Sequence, residues 1–242
     1  MKISEIVELL TNAIPVTDSW TLHEAYGAYN IKDFNKEVNK ILYCVTPTHD
    51  VVEYFYEHTY DLLISHHPYV EGVPQLIFHT ALDCCKNGLN DMWSNYLNVK
   101  NPKHFSRNLG WHGEIDPLSF NNLLAKIEEF IGHSVVGVKY NKNQKPIQSV
   151  VICTGLGGMV LTEAEFTKAD CYITGELMGG IQNSRFKAVI EVGHTLSEFI
   201  GVSLFQRLLP SLQIDSAPLE VDYFGCETSI GTRGKIVTSS PA

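Results

Sequence analysis

Short apolar runs alternate with stretches in which apolar residues recur every three or four positions, the mark of strands interleaved with helices. Ile3, Ile6, Val7, Leu10 and Ile14 line one side of a predicted first helix, with Ser4 as its N-cap. Residues 40–46 (KILYCVT) predict a buried strand, and 48–58 a helix capped by Thr48 with Val51, Val52 and Phe55 inward. A strand at 61–65, a short one at 76–79 and a helix at 90–97 follow. A second set has strands at 134–139, 149–154, 171–174 and 188–192. Its expected helices run over 161–168, from 175 to about 186, and over 195–209 up to Pro210. Such alternation predicts parallel βαβ units.

Residues 101–122 break the rhythm with Pro102, Gly110, Gly113 and Pro117, and read as a connection. The expectation is one α/β lobe over 1–100 and a second over 123–242, within a single functional unit. Lys142 to Pro146 is a polar turn.

Composition narrows the function. Of 242 residues, 44% are hydrophobic and 19% charged, which excludes a mainly disordered chain. Apolar stretches reach only about six or seven residues, far below the roughly 18 of a membrane span. Glu5 and Glu8 interrupt the N-terminal apolar residues, so that segment does not read as a secretory signal, and a cytoplasmic protein is expected. The formal charge is −9 with no basic run, which argues against a nucleic-acid surface. The six cysteines form no C-x-x-C pair and read as free buried thiols.

Chemistry-bearing residues gather after predicted strands. Ser65-His66-His67-Pro68 places two imidazoles at a strand's carboxyl end, where open parallel sheets bind ligands. Neighbouring residues on an extended chain point to opposite sides, so each histidine could serve a different ion; a backbone-bonded loop histidine is the alternative. In His79-Thr80-Ala81-Leu82-Asp83, Asp83 is either a hard oxygen ligand able to bridge cations or a helix cap. In Gly193-His194-Thr195-Leu196-Ser197-Glu198, His194 and Glu198 stand four apart on one helical face. Gly193 permits the sharp turn into that helix. Thr154-Gly155-Leu156-Gly157-Gly158 is either an anion cradle or a tightly packed turn. No P-loop and no G-x-S-x-G elbow occurs. Convergence of His66, His67, Asp83, His194 and Glu198 would give three imidazoles and two carboxylates, a donor set suited to two divalent ions of the zinc, iron or manganese type. Such a pair lowers the pKa of a shared water to about 7.

The ordered motifs resemble the Nif-three-like dinuclear metal-binding family, the GTP cyclohydrolase 1 type 2 homologs. They are Ile64-Ser65-His66-His67-Pro68, His79 to Asp83 with Gly88-Leu89-Asn90-Asp91, Ala169-Asp170-Cys171-Tyr172-Ile173-Thr174-Gly175-Glu176, and Gly193 to Glu198. The resemblance implies two α/β lobes with mixed, mostly parallel sheets and a dinuclear metal site in the cleft between them. It implies metal ligands at His66, His67, Asp83, His194 and Glu198, with Glu198 bridging, and assembly as a toroidal hexamer. The implied activity is metal-dependent hydrolysis of a nucleotide-like small molecule, with His79 as a proton shuttle or as a group that orients a ligand. The alternative is a metal-handling or adaptor protein without turnover.

Three departures bear on that activity. Only residues 68–78 separate His67 from His79, where the family has a longer segment, so a more open site or an altered oligomer is expected. Val45-Thr46-Pro47 stands where the family often has an acid, and Met178-Gly179-Gly180 where it often has histidines. Arg185, Lys187 and Arg207 are scattered and read as solvated surface, not as a triphosphate clamp. Cys84 and Cys85, beside Asp83, read as packing residues.

Overall fold

The computed structural model describes residues 1–20, 25–68, 71–141, 145–222 and, for the backbone, 236–238. In chain order its elements are α1 (Ile3–Ala13), β1 (Tyr26–Tyr29), β2 (Lys40–Cys44), α2 (His49–Glu57), β3 (Leu62–Ser65), β4 (Gln75–Phe78) and α3 (Thr80–Cys84). Then come α4 (Leu89–Tyr96), β5 (Lys100–Phe105), β6 (Gly110–Leu118), α5 (Phe120–Ile131), β7 (Gly137–Tyr140), β8 (Ile147–Cys153), α6 (Leu161–Phe166) and β9 (Cys171–Thr174). The remainder are β10 (Ala188–Glu191), α7 (His194–Phe199), α8 (Val202–Leu208), β11 (Gln213–Ser216) and β12 (Ile236–Thr238). Among the described residues no helix is long and apolar enough to cross a membrane.

The elements form two compact units. The first takes residues 1–89 and resumes at Glu198, and the second takes 90–197 together with β12. The chain therefore returns to the first unit within α7. This differs from the expected lobes, because β11 pairs in parallel with β2 and so belongs to the first sheet. Residues 101–122 are not a plain connection either: β5 and β6 are antiparallel partners within the second sheet.

The first sheet has the order β1-β4-β3-β2-β11, parallel except where β1 pairs antiparallel with β4. Leu62 to Ser65 and Gln75 to Phe78 are buried throughout, as strands covered on both faces must be. One face packs Leu42, Leu63, Val51, Phe55 and Tyr60 together, with α2 started by Thr48, whose hydroxyl accepts the Val51 N–H at 3.2 Å. Elsewhere in the unit, Phe205 of α8 meets Tyr43 and Phe78, with ring centroids 5.4 and 6.1 Å apart. Ser4 does not cap α1. The helix begins two residues earlier than that cap implies, with Lys2 at the N-cap position; the Ser4 N–H goes to the Phe34 carbonyl, and Glu5 accepts the Lys2 N–H at 2.8 Å.

The second sheet has the order β12-β7-β10-β9-β8-β6-β5 and mixes parallel and antiparallel pairs. Alongside it α5 buries Phe120, Leu123, Ile127 and Ile131, capped by Ser119 and closed by Gly132 at φ 72°.

Two expected helices are altered. After β9 the chain turns through Gly179 and Gly180, at φ 80° and 89°, leaving only a short 3₁₀ turn at Ile181–Asn183. The helix expected over 195–209 splits into α7 and α8. The Glu198 carbonyl accepts the Tyr43 hydroxyl and the Gly201 N–H, both at 3.0 Å, so the regular i to i+4 ladder stops there. A Cβ at Gly201 would lie 2.6 Å from the Tyr43 hydroxyl, so only glycine fits unless that ring moves.

Phe205→Ala is expected to cost about 3–5 kcal/mol in urea unfolding, since it empties a fully buried ring site. Phe166→Ala, at a side chain 78% exposed, should stay within about 0.5 kcal/mol of the parent. Equal shifts for the two variants would contradict this placement of the core.

Candidate metal centre

The histidine pair is held by backbone. Past the end of β3, the His66 N–H donates to the Cys44 carbonyl at 3.2 Å and the His67 N–H to the Val45 carbonyl at 2.8 Å. These bonds continue past the strand and fix both histidines where the chain bends away from it. Ser65 donates its hydroxyl to the His67 carbonyl at 2.9 Å and accepts from the Gln75 amide at 2.6 Å. Both histidines are buried, His66 at 1% exposure.

His79 and Asp83 come from the next strand end. His79 occupies the N-cap position of α3, with its N–H on the Ala25 carbonyl at 3.2 Å. Asp83 lies inside α3 and is buried, so it is not the cap of that helix. Cys84 and Cys85 are buried beside it and, like Cys44, Cys153 and Cys171, form no disulfide among the described residues; Cys226 lies outside them. Burial pushes the Cys44 thiol well above its usual range, with Asp222 adding to the shift.

These side chains converge within the first unit. His66 Nε2 lies 3.5 Å from Asp83 Oδ2 and 3.3 Å from Glu198 Oε1. His67 Nε2 lies 3.3 Å from Glu198 Oε2. The two oxygens of Glu198 therefore face different imidazoles. His66, Asp83 and Glu198 offer ligand atoms within 4.8 Å of one another, as do His66, His67 and His79. Buried acids and imidazoles so close together are costly to bury unless paired or coordinated. The donor set, imidazole nitrogen with carboxylate oxygen, fits zinc, iron or manganese.

A further acid supports His67 from a distant part of the chain. Asp222, fully buried, accepts the Val45 N–H at 2.6 Å and the Thr46 N–H at 2.7 Å. The Thr46 hydroxyl in turn lies 2.8 Å from His67 Nδ1. A histidine whose Nδ1 is held this way presents Nε2 in a fixed direction, as metal-binding histidines do. The reading of the sequence missed Asp222, which stands some 176 residues from the loop it anchors.

His194 belongs to the second unit. The Val192 N–H reaches the Thr174 carbonyl at 2.8 Å and the Gly193 N–H the Gly175 carbonyl at 2.9 Å, with Gly193 at φ 109°. Ser197 then ties the start of α7 down: its hydroxyl donates to the His194 carbonyl at 2.7 Å and accepts the Gly155 N–H at 2.9 Å. His194 Nδ1 lies 3.1 Å from Glu176 Oε2. Glu176 is thus a second orienting acid, at the end of the Thr174-Gly175-Glu176 motif and outside the expected ligand set. Glu198 follows one turn later on the same helix.

The glycine-rich turn is a packing device. The N–H groups of Gly155, Gly157 and Gly158 are taken by Ser197 Oγ, the Gly155 carbonyl and the Glu176 carbonyl. A Cβ at Gly157 would lie 2.0 Å from Thr174 Oγ1 and 2.5 Å from the Tyr172 hydroxyl. The anion-cradle alternative is therefore not realised by these groups.

A family model for Duf34/NIF3 (NGG1p interacting factor 3) matches residues 1–77 and 71–228. The chain belongs to the Duf34/NIF3 family. A GTP cyclohydrolase 1 type 2 homolog of Methanocaldococcus jannaschii is 26% identical over 254 residues, covering 92% of this chain and 100% of the relative. One from Streptococcus pneumoniae is 33% identical over 109 residues, 42% of this chain and 41% of the relative. Among solved structures, reduced HcgD from M. jannaschii aligns with a TM-score of 0.78 at 24% identity, over 92% of this chain and 98% of that one. A Bacillus cereus protein related to NIF3 aligns with a TM-score of 0.77 at 13% identity, over 96% and 99%. At such identities the solved structures speak for a shared family fold.

Asp222→Ala should destabilise the ion-free protein by about 2–4 kcal/mol, because two buried N–H groups lose a charged acceptor. Asp222→Asn keeps one acceptor oxygen and should lose less. Denaturant unfolding measures both, and an unchanged midpoint for Asp222→Ala would contradict the anchoring role.

Proposed function

We propose that the protein holds two divalent ions of the zinc, iron or manganese type on His66, His67, Asp83, His194 and Glu198, with Glu198 bridging, and hydrolyses a nucleotide-like small molecule. The observation that carries this reading is the Glu198 carboxylate, buried with one oxygen toward His66 and the other toward His67. The i, i+4 spacing of His194 and Glu198 on α7 supports His194 as a further ligand. When bound, such a pair of ions supplies a water of lowered pKa as nucleophile.

The chain's own groups do the rest. His66 faces one oxygen of Glu198 and Asp83 flanks His66, while His67 faces the other oxygen. Thr46 and Glu176 orient His67 and His194 through their Nδ1 atoms. His79 is half-buried, its ring 5.1 Å from that of His66 and 5.6 Å from that of His67, and we assign it the proton transfer beside those two histidines. The hexamer and the cytoplasmic setting implied by the resemblance belong to this same reading. A second reading, metal handling without turnover, is favoured by one feature: Asp83 and Glu198 are both almost wholly buried, which restricts access for a bulky substrate.

Protein purified without chelator is expected to carry two ions per chain by elemental analysis. Glu198→Gln should lose at least one of them, and His79→Asn should keep both while losing turnover of GTP or of a phosphoester panel. Ion content at background after reconstitution would overturn the metal reading. Full occupancy with no turnover of any substrate would leave metal handling as the function.

A further inference from the structure

The second unit contains a cavity of about 500 Å³ lined by Lys100, Lys103, His112, Glu114, Ser149 and Lys168, among others. In a regular strand Lys100 and Lys103, three residues apart, would project to opposite faces. The ladder between β5 and β6 shifts between them: Lys100 stands opposite Glu114 and Lys103 opposite His112. One extra residue on β5 makes this a bulge, which turns both lysines toward the same cavity. Asn101 takes φ 47° there. Gly113 allows the close approach, since a Cβ on it would lie 2.6 Å from Val99 Cγ1 and 2.7 Å from the Lys100 carbonyl. Lys168 enters from the turn after α6, itself at φ 58°.

The charges at this place are unbalanced. Lys100 pairs with Asp116, whereas Lys103 and Lys168 form no ion pair among the described residues. Burial and the charge of Lys103 both hold the His112 imidazole toward its neutral form, while Glu114 is the single acid on the cavity wall. Cations gathered in this way, in a chain of net charge −9, favour an anionic occupant. The volume falls in the range of small-molecule sites, about 300–1,000 Å³. A second cavity of about 340 Å³ shares Lys168 and Ala169 and adds Lys187, Asp170, the exposed ring of Phe166, and Arg185 paired with Glu165, so its own charges are close to balanced.

We propose that this bulge-built cavity binds a phosphate-bearing small molecule, with Lys103 and Lys168 holding the phosphate and the adjoining cavity receiving the remainder. The site is independent of the histidine centre and of any ion held there.

The test uses the full-length protein stripped of metal and dialysed free of chelator, with inorganic phosphate and tripolyphosphate as probes. Calorimetry should show saturable binding, weakened at least tenfold in Lys103→Gln and in Lys168→Gln and unchanged in Lys36→Gln. The His112 imidazole resonance should titrate at higher pH with the probe bound, since an anion offsets the charge of Lys103. No saturable binding would overturn the proposal. So would parental affinity in the two cavity variants, or an equal loss in Lys36→Gln, which would mark unspecific screening.

Discussion

A carboxylate buried between two imidazoles is the constraint around which the first unit is arranged. Glu198 is 2% exposed, and an acid taken out of water so completely persists only with close polar partners or a cation. Its position is fixed at the main chain, because its carbonyl accepts the Tyr43 hydroxyl and that contact ends α7. Gly201 makes room for the Tyr43 ring, and the same ring packs on Phe205 in the core. The side chain that faces the histidines is therefore set by the packing of the sheet beneath it.

The histidines are equally constrained. Their N–H groups extend the ladder to the chain beyond β2, and Asp222 pins the loop that carries Thr46 against His67. Sites held on rigid elements with locked supporting groups keep their geometry through ligand exchange. Here the support for one imidazole comes from a residue far along the chain.

What could be read from the sequence follows from how local each signal is. The buried strands β2, β3, β9 and β10 announce themselves as apolar runs, and Thr48 caps α2 as its position predicts. His66, His67, Asp83 and Glu198 were legible because each follows a strand end or sits at helical spacing. The split between α7 and α8 was not, since it arises from a hydroxyl on β2 reaching Glu198 across 155 positions. The edge strand β5 and its neighbour β6 are rich in polar residues, glycine and proline, so residues 101–122 read as a connection. The helix α5 carries a local signal, Ser119 followed by Phe120, Leu123, Ile127 and Ile131 at helical spacing. Asp222 carries no local signal, and the shared direction of Lys100 and Lys103 depends on a bulge that no spacing rule reveals.

Anomalous diffraction from crystals soaked in manganese or zinc locates any ions held by these side chains. Two peaks are expected near the Glu198 carboxylate, one beside His66 and Asp83 and the other beside His67. Peaks remote from Glu198, or an unchanged pairing of its oxygens with the two imidazoles and no ion near them, would contradict that arrangement.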